Sequence, residues 1–127
     1  MIDSRITDFI AEHHVLTVAC ASPEDGLWCA NAFYVFDPQE EGFIITSSAE
    51  TLHGRMFVND AHVAGSIVLE TGEVGKIRGL QFAGTVSRPG GGLFERCRMK
   101  YLKRFPYAAL VGGEVWLIKP DRIKYTD

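Results

Sequence analysis

Three stretches of this 127-residue sequence carry side chains whose types and spacing suit ligand chemistry. In residues 42–53 an apolar run, Phe43, Ile44 and Ile45, passes into Thr46, Ser47 and Ser48. A short segment follows with Thr51, Leu52, His53, Arg55 and Met56. A helix that starts there leaves its first backbone N–H groups without partners and carries a partial positive charge, which suits an anion such as phosphate. Ser47, Ser48 and Thr51 add hydroxyl donors, and His53 or Arg55 adds a cation. The same pattern also reads as plain capping, the commoner arrangement. Ser48 then caps the helix, Thr51 is a first-turn residue, and Glu50 complements the dipole and repels a phosphate.

The second stretch is residues 77–84. Period-2 alternation puts Arg78, Leu80 and Phe82 on one face of a strand and Gly79 and Gln81 on the other. A glycine inside a strand marks a bulge, a close ligand or simple barrel curvature. The third stretch is residues 28–34, where Asn31 stands in an apolar run between Trp28 and Tyr34. Buried, it needs a hydrogen-bond partner, either the edge of a ring ligand or a neighbouring loop carbonyl.

Other chemistry is poorly supplied. His13 and His14 are adjacent and cannot share one face as paired ligands do, and His53 and His62 lack acidic or thiol neighbours at ligand spacing, so no metal site is expected. Cys20, Cys29 and Cys97 are odd in number, form no CxxC pair and have no base nearby in sequence, which suggests small buried hydrophobes. The basic run Arg96, Arg98, Lys100, Lys103 and Arg104 reads first as a solvated helix face. No residue stands out as a general acid or base.

The elements that must position these residues are short and mostly extended. Ile2, Ile6, Phe9 and Ile10 predict an amphipathic helix capped by Asp3 or Ser4 and ended at His13–His14. Strands are expected over residues 15–21, 27–36, 43–46, 62–70, 77–88 and 114–118, with an extended tail over 122–126. Asp25-Gly26 turns the first pair, and helices are expected over about 49–57 and 93–104. Pro89 and three glycines launch the last helix, and Pro106 ends it. Many short strands without regular crossover helices point to a closed or partly closed barrel rather than a doubly wound sheet.

The length suits one domain spanning residues 1–127. A net charge of −3 and an acidic pI near 5.8 argue against nucleic acid as a partner. No apolar stretch is long enough for a membrane span, and the N-terminus lacks a signal-peptide core, so a reducing cytoplasm is the expected location.

Residues 28–34, 51–53, 77–82 and 104–106, in this order of strands, resemble the bacterial YhbP-type (UPF0306) proteins, and the resemblance covers almost the whole chain. These proteins belong to the pyridoxamine 5′-phosphate oxidase-like, FMN-binding split-barrel superfamily. The resemblance implies a mainly β, Greek-key split barrel that forms a homodimer with a small planar ligand at the interface. FMN is the implied cofactor, with haem, a deazaflavin or no ligand as alternatives. It implies a phosphate held by Thr46, Ser47, Ser48, Thr51, His53 and Arg55, and a ring near Asn31 and Tyr34 that Arg78 or Gln81 reaches. The oxidases place an Arg-Lys pair where this sequence has Leu52-His53, and their substrate-binding basic residues have no counterparts here. A flavoprotein oxidoreductase of another substrate, or a non-enzymatic flavin or haem carrier or sensor, is therefore expected rather than a vitamin B6 oxidase.

Overall fold

The computed structural model describes residues 2–127. Helix α1 (Ser4–Glu12) is capped by Asp3, whose carboxylate accepts from the Arg5 N–H, and it buries Phe9 and Ile10. Strands β1 (Val15–Ser22) and β2 (Gly26–Phe33) form a hairpin that pairs Ser22 with Gly26 across the expected turn. Then follow β3 (Val35–Asp37), β4 (Gly42–Ser47), α2 (Leu52–Asn59), β5 (His62–Val68) and β6 (Gly79–Ser87). Helix α3 (Gly91–Arg104), a four-residue α4 (Ala108–Val111) and the long β7 (Glu114–Thr126) complete the chain.

All seven strands join one antiparallel sheet in the order β2-β1-β5-β6-β7-β4-β3. Its first and last strands, β2 and β3, are separated in sequence by Tyr34 alone. A sheet whose two edges are joined by one residue has to curl until they meet, so the topology itself requires a split barrel. Tyr34 sits at that junction, fully buried, with its amide on the His14 carbonyl and its hydroxyl donating to the Ile10 carbonyl at 2.5 Å.

The sequence reading ran residues 27–36 together as one strand. The chain instead changes sheet edge at Tyr34, which local propensity cannot register because both halves are extended. The expected tail over 122–126 is the continuation of β7, bulged opposite Ala83 and Gly84 so that Asp121 is the extra residue. Arg78 lies just before β6 rather than inside it. Helix α4 was not foreseen.

The inner face is packed with Leu16, Val18, Tyr34, Phe43, Ile45, Met56, Leu80, Phe82, Trp116 and Ile118. Helix α3 covers the outer face of β4 and β7, enclosing Ile44, Cys97, Tyr101, Val115 and Leu117. Each fully buried side chain of this size stabilises the fold by about 1.5–3 kcal/mol relative to exposure. The outer face of β1, β2, β5 and β6 has no such cover. Leu27 and Phe33 are 84% and 55% exposed on it, and alternation adds Thr17, Ala19, Ala64 and Ser66, with no Asp, Glu, Lys or Arg on those four strands.

Candidate functional site

A cavity of about 660 Å³ opens between the outer side of β2, the end of β4 and the α3–α4 corner. Its size lies in the usual range for a small-molecule pocket. Phe33, Phe105 and Tyr107 supply aromatic walls, with Phe33 and Phe105 in contact at 5.3 Å between ring centroids. Asn31, Thr46, Ser47 and Arg104 supply the polar groups.

The polar groups present donors. Asn31 Oδ1 accepts from the Thr17 hydroxyl at 2.8 Å, which leaves both Nδ2 hydrogens without an acceptor among the described residues. Thr51 Oγ1 donates to the Ser48 carbonyl at 2.8 Å and accepts from the Gly54 N–H at 3.0 Å. Having spent its hydrogen, it can only accept from His53 Nε2, which lies 3.3 Å away. Nε2 and Ser47 Oγ share one hydrogen bond at 2.5 Å, whose direction is set by the imidazole tautomer. Burial holds the His53 imidazole below its ordinary pKa, so the ring is neutral near pH 7.

Arg104 is the fixed charge at the cavity. Its guanidinium donates to the carbonyls of Tyr34 at 2.9 Å, Ala11 at 3.3 Å and His13 at 2.5 Å, and it packs on the rings of Tyr34 and Phe105. No carboxylate neutralises it among the described residues, so its positive charge is compensated by carbonyl dipoles alone.

The structure brings Asn31, Thr46 and Ser47 together at this cavity, with Thr51 and His53 directly behind Ser47. Ser48 and Arg55 stand outside it, Ser48 Oγ accepting from the Glu50 N–H and Arg55 donating to the Glu50 carbonyl. Tyr34 is enclosed in the core, so a ligand cannot touch its ring without rearrangement. Gln81, on β6, is separated from β2 by β1 and β5, and faces a shallow pocket with Ser66. Arg78 packs over the Phe9 ring, bonds the Tyr125 hydroxyl and pairs with Glu12 at 3.6 Å. Arg104 stands in the basic run whose first reading is a solvated face and whose second is a grip on an anionic ligand, whereas Phe105, Tyr107 and Ala108 are not expected as site residues. The signal for Tyr107 and Ala108 is a segment caught between Pro106 and Gly112-Gly113, too short to interpret without its neighbours.

The fit of an FMN phosphate at the start of α2 can be tested on these contacts. Thr51, not Ser48, caps the helix. The Glu50 and Gly54 amides are taken by Ser48 Oγ and Thr51 Oγ1, and the Ala49 amide donates to the Glu114 carboxylate at 2.8 Å. These three amides are taken, while the Leu52 and His53 amides, the first two of the helix, have no partner among the described residues. His53 is neutral, and a phosphate received there meets the Glu114 carboxylate as the residues stand. Among the described residues no cluster of His, Cys, Asp and Glu could hold a metal ion, and no helix is long and apolar enough to cross a membrane.

No family model matches this chain. It is 43% identical over 124 residues to the UPF0306 protein YhbP of Escherichia coli strain SMS-3-5, covering 98% of this chain and 84% of that one. Among solved structures it is similar to HutZ, a haem storage protein of Vibrio cholerae (TM-score 0.82, 15% identity, 96% of this chain and 92% of that chain). It is also similar to a haem-binding protein of Mycobacterium smegmatis (TM-score 0.80, 21% identity, 92% of this chain and 50% of that chain). At those identities the likeness is one of fold, which the curled seven-stranded sheet shares. The curated relative settles the closer question: the chain belongs to the UPF0306 (YhbP) family.

Proposed function

We propose that this protein is a non-enzymatic binding barrel for a planar ligand that carries acceptor groups at its edge, a carrier or sensor rather than an oxidoreductase. The observation that carries this reading is the cavity itself, with aromatic walls and polar groups that offer hydrogens (Asn31 Nδ2 and the Arg104 guanidinium, which no carboxylate pairs among the described residues). Such a lining selects a flat apolar body with carboxylates or carbonyl oxygens on its rim. Haem with its propionates has that chemistry, and so does the pyrimidine edge of a flavin ring. Two proteins of the same fold bind or store haem, which supports haem first. No group in the cavity is disposed as a general acid or base, which favours binding over catalysis.

The uncovered outer face of β1, β2, β5 and β6 supports a homodimer, because a face that exposes Leu27 and Phe33 and carries no Asp, Glu, Lys or Arg is disfavoured in water. Phe33 and Asn31 belong to both that face and the cavity, so a second copy would wall the ligand. Three free thiols suit a reducing cytoplasm.

The test is titration of the purified protein with haemin and with riboflavin, followed by absorbance. At least one is expected to bind with a spectral shift. Ala108→Trp, which places an indole in the cavity, is expected to weaken that binding at least tenfold while the circular dichroism spectrum is kept. If both ligands fail to bind, or if the substituted protein binds as well as the parent, the cavity is not the site.

A further inference from the structure

We infer that Glu114 acts as a specificity-determining residue: its carboxylate is held beside the anion position at the start of α2 and turns away ligands with a phosphate tail. This rests on the reading of the cavity as a planar-ligand site. It adds which anionic group that site refuses.

The geometry is local and specific. Glu114 opens β7 opposite Ser47, the last residue of β4, so its side chain starts within one strand spacing of the cavity's Ser47. The two residues before it, Gly112 and Gly113, have φ of 77° and 115°, a backbone path that side-chain-bearing residues rarely adopt. That path brings the chain off α4 and against the Ser47 backbone. From there Glu114 Oε2 reaches the Ala49 N–H at 2.8 Å. Ala49 lies two residues ahead of the Thr51 cap, so the carboxylate sits beside the free Leu52 and His53 amides that would receive a phosphate oxygen.

The cations nearby are engaged with other partners. Arg88 lies over the Trp116 ring, Arg55 is turned to the Glu50 carbonyl, and the neutral His53 is bonded to Ser47. Arg104 lies at the other end of the cavity, fixed to the carbonyls of Tyr34, Ala11 and His13. A ligand whose anionic groups approach Arg104 meets a cation. One whose phosphate approaches α2 has to displace Glu114 or sit beside it, where like charges repel. Carboxylate-rimmed ligands are thereby favoured over phosphate-tailed ones.

FMN and riboflavin separate the effects, because they share a ring and differ in the phosphate. Their affinities would be measured on the parent, on Glu114→Gln and on Glu114→Ala, with haemin as a third probe. The parent is expected to bind FMN no tighter than riboflavin. In Glu114→Ala the preference for FMN over riboflavin should rise about tenfold, the scale of one charge-assisted contact, with Glu114→Gln between the two. Haemin binding should be unchanged in both, which also shows that the variants are folded. A parent that already favours FMN tenfold, or a ratio that does not move on removing Glu114, overturns the inference while leaving the cavity reading intact. Uptake of FMN by Glu114→Ala alone supports it. If all three proteins refuse both flavins, the inference falls whether or not haemin binds, and haemin binding then decides the cavity reading by itself.

Discussion

Arg104 is the residue whose loss should test the closure of the barrel most directly. Its guanidinium ties α3 to two other places: the carbonyl of Tyr34, where β2 passes into β3, and the carbonyls of Ala11 and His13 at the end of α1. Replacing it with Met keeps much of the side-chain volume and removes every donor. The Tyr34 carbonyl belongs to a fully buried residue, so its lost charge-assisted bond should cost about 1.5 kcal/mol. Ala11 is exposed and His13 half-buried, so water can replace part of those bonds, at about 0.5 kcal/mol each. The packing of the cation on the Tyr34 and Phe105 rings adds about 0.5 kcal/mol. The sum is about 3 kcal/mol, or about 10 °C in Tm for a domain of this size. Urea denaturation followed by tryptophan fluorescence would measure it. Arg104→Lys, which can hold one carbonyl, should recover about a third of the loss. A loss under about 1 kcal/mol for Arg104→Met would refute the reasoning, since the junction would then be held by packing alone.

Two further outcomes are expected. Burial holds His13 below its ordinary pKa of 6.5, with Arg78 and His14 acting in the same direction and Glu12 opposing, and its Nε2 is buried without a partner. The unfolded chain therefore takes up a proton before the folded one does, and stability should fall as pH drops through 6.5 and below. Tm measured from pH 7 to pH 5 should fall less steeply for His13→Phe than for the parent, and parallel slopes would remove His13 as the cause. Ala64→Glu puts a charge in the middle of the uncovered face without touching the core, so it should convert a dimer of the 14.1 kDa chain to a monomer in analytical ultracentrifugation. A parent that sediments as a monomer would sink the proposed pairing.

The extent to which the sequence foretold this molecule differs by element. The capping of α1 by Asp3 and the β1–β2 hairpin at Asp25-Gly26 are written in neighbouring residues, and both are found where local chemistry puts them. The resemblance of residues 28–34, 51–53, 77–82 and 104–106 to the YhbP-type proteins led to the family that the 43% identical relative shows. The anion site at α2 is a different case. Thr46, Ser47, Ser48 and Thr51 have the composition of a phosphate cradle, but Glu114, 65 residues away, already bonds the amide at its mouth. No window around residue 50 contains that information.

The sequence by itself determined a mainly β chain of short antiparallel strands, its turns and helix caps, because these depend on the φ/ψ preferences and side-chain reach of adjacent residues. Tertiary structure alone decided that the extended stretch through Tyr34 changes edges of the sheet, that Arg104 closes the junction, and that Asn31, Ser47 and Tyr107 face one cavity. These depend on which distant backbone segments meet when the sheet curls. That outcome is fixed by burying Tyr34, Phe43, Phe82 and Trp116 in one core, a property of the whole chain that no single segment carries.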